Sequence, residues 1–350
     1  MSLANPFTSS PPAVRKPAFE VDFGASSDDW SQALLEIDLE LGLLPHVDVL
    51  RLRWAAGAAN APNVSAGDTG QLKLGYTDDK KAVFQGQVSQ VQPQLNGQLG
   101  LEAVNGGAAL AALRLNQAYE QQNAGDVVAD LAGQAGVATG SVSAGSKLAY
   151  LAVDDGRSAL THIGDLALRC GFPAFFDGDG TLVFAEVAAT PAVATFTYGV
   201  DILAMQVDER GDLAGGYTVF GEGAAGAEGD DAWCWLIKDP SAVKGEAGEK
   251  PARLISDRAL RNAGAASDAA AGLLQAARFK HQSAQLRVPG TAAALPGAII
   301  AVTEAPADAM NGDWLVTGAR HQLARGRGFT SRLTLTRSGA GAAGLLGGLL

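Results

Sequence analysis

Ser65-Ala66-Gly67-Asp68, then Gln71-Leu-Lys-Leu-Gly-Tyr76, Val83-Phe84-Gln85-Gly86-Gln87-Val88 and Leu99-Gly100-Leu101-Glu102-Ala103-Val104 read as a glycine turn followed by three strands. More than two hundred residues later the same order returns. Leu295-Pro296-Gly297 precedes Ile299-Ile300-Ala301-Val302, Leu315-Val316-Thr317-Gly318-Ala319-Arg320-His321 and Arg332-Leu333-Thr334-Leu335-Thr336. Gly86 to Leu101 spans 15 residues, and so does Gly318 to Leu333. Side chains that alternate with a period of two mark half-buried strands. A β unit that occurs twice in one chain points to assembly before catalysis, because repetition serves stacking and ring building.

Upstream of the first unit, Phe19-Glu-Val-Asp-Phe23 alternates, as do Leu35, Ile37, Leu39 and Leu41 against Glu36, Asp38 and Glu40. Asp48–Trp54 alternates again, with Leu50, Leu52 and Trp54 on one face. About six antiparallel strands by residue 104 are enough for a small barrel. The pattern then changes. Asn123 can cap a helix that buries Val127, Val128, Leu131 and Ala135 and stops at Gly136, and a second helix near Ser158–Cys170 stops at Gly171. Asp177-Gly-Asp-Gly180 between Phe175-Phe176 and Thr181–Phe184 is a hairpin signal. Strands resume at Phe196, Met205–Asp208 and Tyr217–Phe220, before an acidic Gly/Ala-rich loop at 222–231 and Trp233-Cys-Trp235. Ser267 begins an alanine-rich helix to about His281, with Leu273, Leu274 and Ala277 as its expected buried face. The second unit follows, and the chain ends in glycine-spaced Leu345-Leu346 and Leu349-Leu350.

The 350 residues suffice for two or three domains. A net charge of −11 opposes nucleic-acid binding, which draws on Lys and Arg, and docking to anionic lipid. Cys170 and Cys234 alone imply no disulfide framework and fit a reducing cytoplasm. The first fifteen residues lack the basic-then-apolar layout of a secretory signal, and no run nears the ~18 apolar residues of a membrane span. A soluble chain made in the cytoplasm is expected.

Several short motifs fail on context. Asp68-Thr69-Gly70 carries the aspartic-protease tripeptide, but it occurs once and follows a polar turn, where a shared-proton dyad needs two carboxylates in a dry cleft. Gly221-Glu-Gly-Ala-Ala-Gly226 matches a dinucleotide fingerprint, yet Ala-Glu-Gly-Asp-Asp follows it and would repel phosphate. Asp177–Gly180 lacks the spaced oxygen ligands of a calcium loop. His46, His162, His281 and His321 show no metal spacing, and no nucleophile elbow or Walker loop is present. No catalytic, cofactor or metal residues are expected.

An ordered set of soft motifs resembles the phage late control D family, the central baseplate hub of contractile tails, whose fold also forms the hub half of type VI secretion spike proteins. The set comprises Phe84-Gln-Gly-Gln-Val88, the helix Asp126–Val137, the Leu166–Phe184 helix and hairpin, Leu295–Ile300, Gly312–His321 and Gly328–Leu333. It spans residues 18–338 or so. Asp155-Gly-Arg-Ser158 departs from the family's more polar helix start. The absence of a spike or oligosaccharide-binding segment after residue 338 leads us to expect a hub that needs a separate spike protein.

The resemblance implies an α+β, mainly β chain with two tail-tube-like antiparallel β-barrels and an α+β insert between them. The expected division is an arm at 1–17, a first barrel at 18–105, an insert at 106–190, a second barrel at 191–338 and a flexible tail at 339–350. Three chains with two barrels each would give six quasi-equivalent units, a homotrimeric structural adaptor from a sixfold tail tube (or tube-initiator protein) to a threefold central spike. Baseplate wedge proteins would be further partners, with no nucleic acid and no membrane insertion. Assembly would place it in the baseplate of a phage tail or contractile injection particle. Strands bearing Leu50, Leu52 and Trp54, and Leu286 and Val288, are expected in the ring wall. Leu345, Leu346, Leu349 and Leu350 are either a frayed end or a peptide that docks in a partner's groove. From a different class, a cell-wall hydrolase or carbohydrate-binding baseplate component would require a cleft with paired, perturbed carboxylates.

Overall fold

The computed structural model describes residues 16–23, 34–55, 64–77, 79–187, 190–210, 215–221, 243–257 and 259–337. Most of the expected arm, Trp233-Cys-Trp235, most of Gly221–Gly226 and the four C-terminal leucines lie outside them. The alternating segments of the first hundred residues form six strands, β1 (Pro17–Phe23), β2 (Leu34–Gly42), β3 (Val49–Trp54), β4 (Thr69–Tyr76), β5 (Asp79–Pro93) and β6 (Leu99–Val104). Ile37, Leu39 and Leu41 of β2 and all three apolar residues of the β3 face are buried. A bulge between Leu34 and Glu36 carries Leu34, rather than the expected Leu35, into the core. One extra residue reverses the alternation upstream of it.

The middle of the chain supplies α1 (Gly107–Ala112), β7 (Gln117–Asn123), α2 (Ala124–Gln134), β8 (Thr139–Val142), β9 (Lys147–Val153), α3 (Ala159–Cys170), β10 (Ala174–Phe176) and β11 (Leu182–Phe184). Caps explain the helix ends. The Asp126 carboxylate accepts from the side-chain amide of Asn123 (2.9 Å) and from its backbone N–H (3.3 Å), and Gly136 leaves the helix at φ +70°. Ser158 accepts from the Thr161 N–H, and Gly171 closes α3 in the left-handed conformation.

The remainder comprises β12 (Ala194–Thr197), β13 (Ala204–Glu209), β14 (Gly216–Gly221), β15 (Lys244–Gly248), β16 (Ala252–Asp257), α4 (Ala263–His281), β17 (Gln282–Pro289), β18 (Ile299–Thr303), β19 (Gly312–Ala324) and β20 (Gly328–Arg337). The last helix starts four residues earlier than expected, because Asn262 rather than Ser267 caps it through the Ala265 N–H at 2.8 Å. Its fully covered side is built of Ala265, Ala266, Ala269, Ala270 and Leu274, with Leu273 only half-buried.

Twelve strands share one sheet whose pairing repeats. The first six run β1-β4-β5-β6-β3-β2 across the sheet, and the second six run β12-β18-β19-β20-β17-β13. Matched in that spatial order, the two sets are also in the same chain order, so β1 corresponds to β12, β2 to β13, β3 to β17, β4 to β18, β5 to β19 and β6 to β20. One difference is that β1 meets β4 antiparallel while β12 meets β18 parallel. The duplication read from the sequence is therefore present and covers six strands, three more than the quoted units.

Local geometry fixes the residue equivalence. The Gly67 N–H donates to the Val88 carbonyl (2.9 Å), as the Gly297 N–H does to the Val316 carbonyl (2.9 Å). The returning bonds, Val88 N–H to Asp68 and Val316 N–H to Ala298, also match. Both glycines have positive φ, which favours glycine for these strand-entry turns. Each long strand then carries a bulge, between Val88 and Gln90 in β5 and between Val316 and Gly318 in β19. Leu101 and Leu333 are equivalent on this alignment, but Gly86 and Gly318 are not. Gly318 sits at the bulge, in the place of Gln90. The shared 15-residue spacing joins unlike positions, since the β19–β20 arms continue to Ala324 and Gly328 while the β5–β6 arms end at Pro93 and Leu99.

Side chains segregate into two cores. One gathers the twelve-stranded sheet around Trp54, Leu72, Phe84, Leu286, Trp314 and Leu333. The other joins α1 to α3 and β7 to β11 with Val219, Val243, Leu260 and the alanine face of α4. Val219, Val243, Leu260 and the alanine face of α4 fall within the expected second barrel at 191–338, and they pack with the elements of the insert. Arg169 of α3 clamps Asp257 of β16 with two bonds (2.6 and 3.2 Å). Close approach explains the small residues here, because a Cβ on Gly245 would lie 2.1 Å from the Ala266 backbone and one on Gly272 would lie 2.6 Å from the Arg169 carbonyl. The architecture is α+β and mainly β, and its two strand sets join edge to edge rather than standing apart.

Candidate assembly interface

The join between the two strand sets is an interface between quasi-equivalent units inside one chain. In β19, β18 takes one edge as far as Leu315, and β2 takes that edge from Gly318 to Ala324, while β20 fills the other. The β2 ladder begins with Leu43 N–H donating to Thr317 (3.1 Å) and ends with Arg325 N–H donating to Leu35 (3.0 Å). Its core-facing row sets Ala319 opposite Leu41, His321 opposite Leu39 and Leu323 opposite Ile37. On the outer face Arg320 lies opposite Glu40 and grips Asp38 with two bonds of 2.9 and 2.6 Å. That hydrogen bonding to Asp38 raises the Arg320 pKa above its ordinary value. Register is tightly specified here, since a slip of one residue would exchange the apolar and charged faces.

His321 is fully enclosed at this join. Its Nδ1 lies 2.8 Å from the Ser331 hydroxyl, and burial pushes its pKa down to about 4, so the ring is neutral.

The ring-wall residues read from the sequence come together in one place. Leu50, Leu52, Trp54, Leu286 and Val288 all belong to the sheet core and are covered by the chain's own side chains. Their strands β3 and β17 have partners on both edges, β6 and β2 for the first and β20 and β13 for the second. From these positions they do not present a face to another molecule.

The edge positions were missed in the sequence reading. Beyond Val88, β5 has β6 on one side and, among the described residues, nothing on the other through Pro93. The outer edge of β13 is likewise unpaired among the described residues. Pro93 was the available signal, as proline in a sheet marks an edge strand. Leu95, fully exposed at the tip of the same hairpin, was another.

The motifs with possible chemistry are absorbed by structure. The Asp68 carboxylate accepts from the Ser65 N–H at 2.8 Å, and Asp177 from the N–H groups of Asp179 and Thr181 and from the Thr181 hydroxyl. Both are turn-holding aspartates. Among the described residues, the carboxyl of Asp48 is pushed up to about 7 by burial. It lies beneath the Gly42 N–H and the Asn105 amide, each 2.8 Å away, and is sealed within the protein. A cleft of about 400 Å³ runs along the seam of the two cores, and Arg210 is its one ionisable lining residue among the described residues. Neither place offers the paired carboxylates that a hydrolase needs.

No protein-family model matches this chain, and no curated protein matches it. Solved structures do. The 43 kDa tail protein of prophage MuSo2 from Shewanella oneidensis superposes with a TM-score of 0.68 at 13% identity, covering 92% of this chain and 98% of that one. The tail protein from Neisseria meningitidis MC58 gives 0.67 at 17% identity, covering 93% and 97%. The E. coli c3393 protein, a type VI secretion component described as structurally similar to the T4 tail proteins gp27 and gp5, gives 0.59 at 13% identity, covering 91% and 77%. Over nearly its whole length, this chain has the fold of phage tail proteins and of a type VI secretion component.

Proposed function

We propose that the chain is a structural hub of a contractile tail or injection particle, three copies of which form a ring between a sixfold tube and a threefold spike. The observation that carries this reading is the duplication itself. Two six-stranded units with the same chain order, the same spatial order and the same bulge occupy one chain. Three such chains supply six near-equal units to one side while remaining threefold to the other, which is what an adaptor between those symmetries requires. The fold shared with tail and secretion proteins supports the setting.

In this reading the sheet core, with Leu50, Leu52, Trp54, Leu286 and Val288, stiffens the ring wall. The second core hangs from the ring as the surface for baseplate wedge proteins or the spike, and Leu345, Leu346, Leu349 and Leu350 are a tether to one of them. The chain acts without catalysis or cofactor and is made in the bacterial cytoplasm before joining the particle.

The test is absolute mass by light scattering, for the chain alone and mixed with the spike protein of the same particle. Three chains of 35.7 kDa in either sample are expected. A single chain in both would overturn the hub reading.

A further inference from the structure

The join inside the chain specifies the join between chains. We infer that β13 of one copy pairs antiparallel with the far half of β5 of the next, in the register by which β2 pairs with β19. This deepens the ring reading above and rests on it.

The residue correspondence is set by the shared bulges and pairings. Val88, Val91 and Pro93 of β5 occupy the places of Val316, Ala319 and His321 of β19. Val207 and Met205 of β13 occupy those of Leu39 and Ile37 of β2, because Leu39 pairs with Leu50 as Val207 pairs with Ala284. Carrying the β2–β19 register across places Pro93 opposite Val207, Gln92 opposite Asp208 and Val91 opposite Glu209, with Leu95 at the turn opposite Met205.

Three observations support the match. First, both edges are unfilled among the described residues, while their counterparts in the second and first units fill each other. An open ladder edge is a template for a further strand. Second, the alternation agrees in this register at Pro93–Val207 and Leu95–Met205, and the exposed Glu209 opposite Val91 marks the end of the apolar row. Val91, Met205 and Val207 are half-covered residues packed against the sheet core, and Pro93 and Leu95 would complete that apolar row. Gln92 and Asp208 fall together on the polar face, where Arg320 and Glu40 stand in the internal join. A one-residue slip would place Gln92 against Val207. Third, Leu95 is fully exposed, yet its counterpart Leu323 lies opposite buried Ile37 and packs on the core. A neighbouring β13 would give Leu95 the same cover. Pro93 removes one N–H donor, so this ladder is shorter in bonds than the internal one. The pairing is also head-to-tail, and a head-to-tail contact that closes on itself makes a ring.

Gln92→Cys with Asp208→Cys tests the register. The corresponding Arg320–Glu40 pair falls between the hydrogen-bonded pairs of its ladder, where the Cα atoms approach to ~4.5 Å, within disulfide reach. The oxidised double variant, in the assembled state, is expected to run as a covalent trimer under denaturing non-reducing conditions and as a monomer after reduction. The parent chain controls for Cys170 and Cys234, and Gln90→Cys with Asp208→Cys, two positions out of register, is expected to stay at the parent's level. A native mass of three chains with no cross-link above those controls overturns the strand pairing and leaves the ring reading intact. A native mass of one chain, with and without spike protein, overturns both.

Discussion

Burial at two single residues writes opposite pH signatures into this protein. His321 is held near 4 against an ordinary 6.5, so between those values the unfolded chain binds a proton that the folded chain refuses. Its contribution to stability is therefore full above 6.5 and lost as the pH falls to 4, by ~3 kcal/mol at about 1.4 kcal/mol per unit. Asp48 works the other way. Its carboxyl is raised from 3.8 to about 7 by burial, against the lowering by Gly42 and Asn105, so its stabilising effect is present at low pH and lost as the pH rises towards 7. In urea unfolding from pH 4 to 7, the free-energy gap between the parent and His321→Gln is expected to change by roughly 2–3 kcal/mol, with the variant losing stability as the pH rises. Parallel curves would show that His321 titrates in the folded protein as it does in the unfolded one.

Strands and helices meet here through small contacts that can be broken one at a time. Gly245 lets α4 lie on β15, and a methyl group there would sit 2.1–2.2 Å from backbone atoms of Ala266 and Ser267. Gly245→Ala is expected to cost about 1–3 kcal/mol in thermal unfolding, because the helix must lift from the strand. An unchanged melt would mean that the helix is not seated on this strand. At the join of β2 and β19, Arg320 is partly exposed, so the clamp on Asp38 is screened. Arg320→Ala should cost about 0.5–1 kcal/mol at low salt and less in 1 M salt. A loss that is insensitive to salt would point to packing of its stem rather than charge.

The same elements show what was legible in the chain. Gly67 and Gly297 could be matched by eye because each needs its positive φ at a strand entry, and the apolar alternation of β3 and β17 marked their buried faces. The correspondence of β13 with β2 was hidden, since β14, β15, β16 and α4 intervene before β17. Alternation at Leu50, Leu52 and Trp54 told that one face is covered but not by what, and the cover proved to be the chain's own core. The bulges that set the true register leave no residue signature. Gly86 and Gly318 therefore looked equivalent while sitting four positions apart in the fold.

At the scale of the molecule, one sheet passes through both units and, among the described residues, leaves unpaired edges at β5 and β13, with the second core attached to its side. In the proposed hub such a chain is one segment of a ring, and further copies continue its sheet. In the proposed hub, three copies would supply six units, the number a sixfold tube requires. An electron-microscopy map of the purified oligomer, alone or bound to the spike protein and reconstructed without imposed symmetry, tests this most directly. Three chains in a closed ring, with six near-equal lobes alternating between first and second units, is the expected density. A twofold dimer, or a ring in which six chains each contribute a single unit, would contradict the role assigned to the duplication.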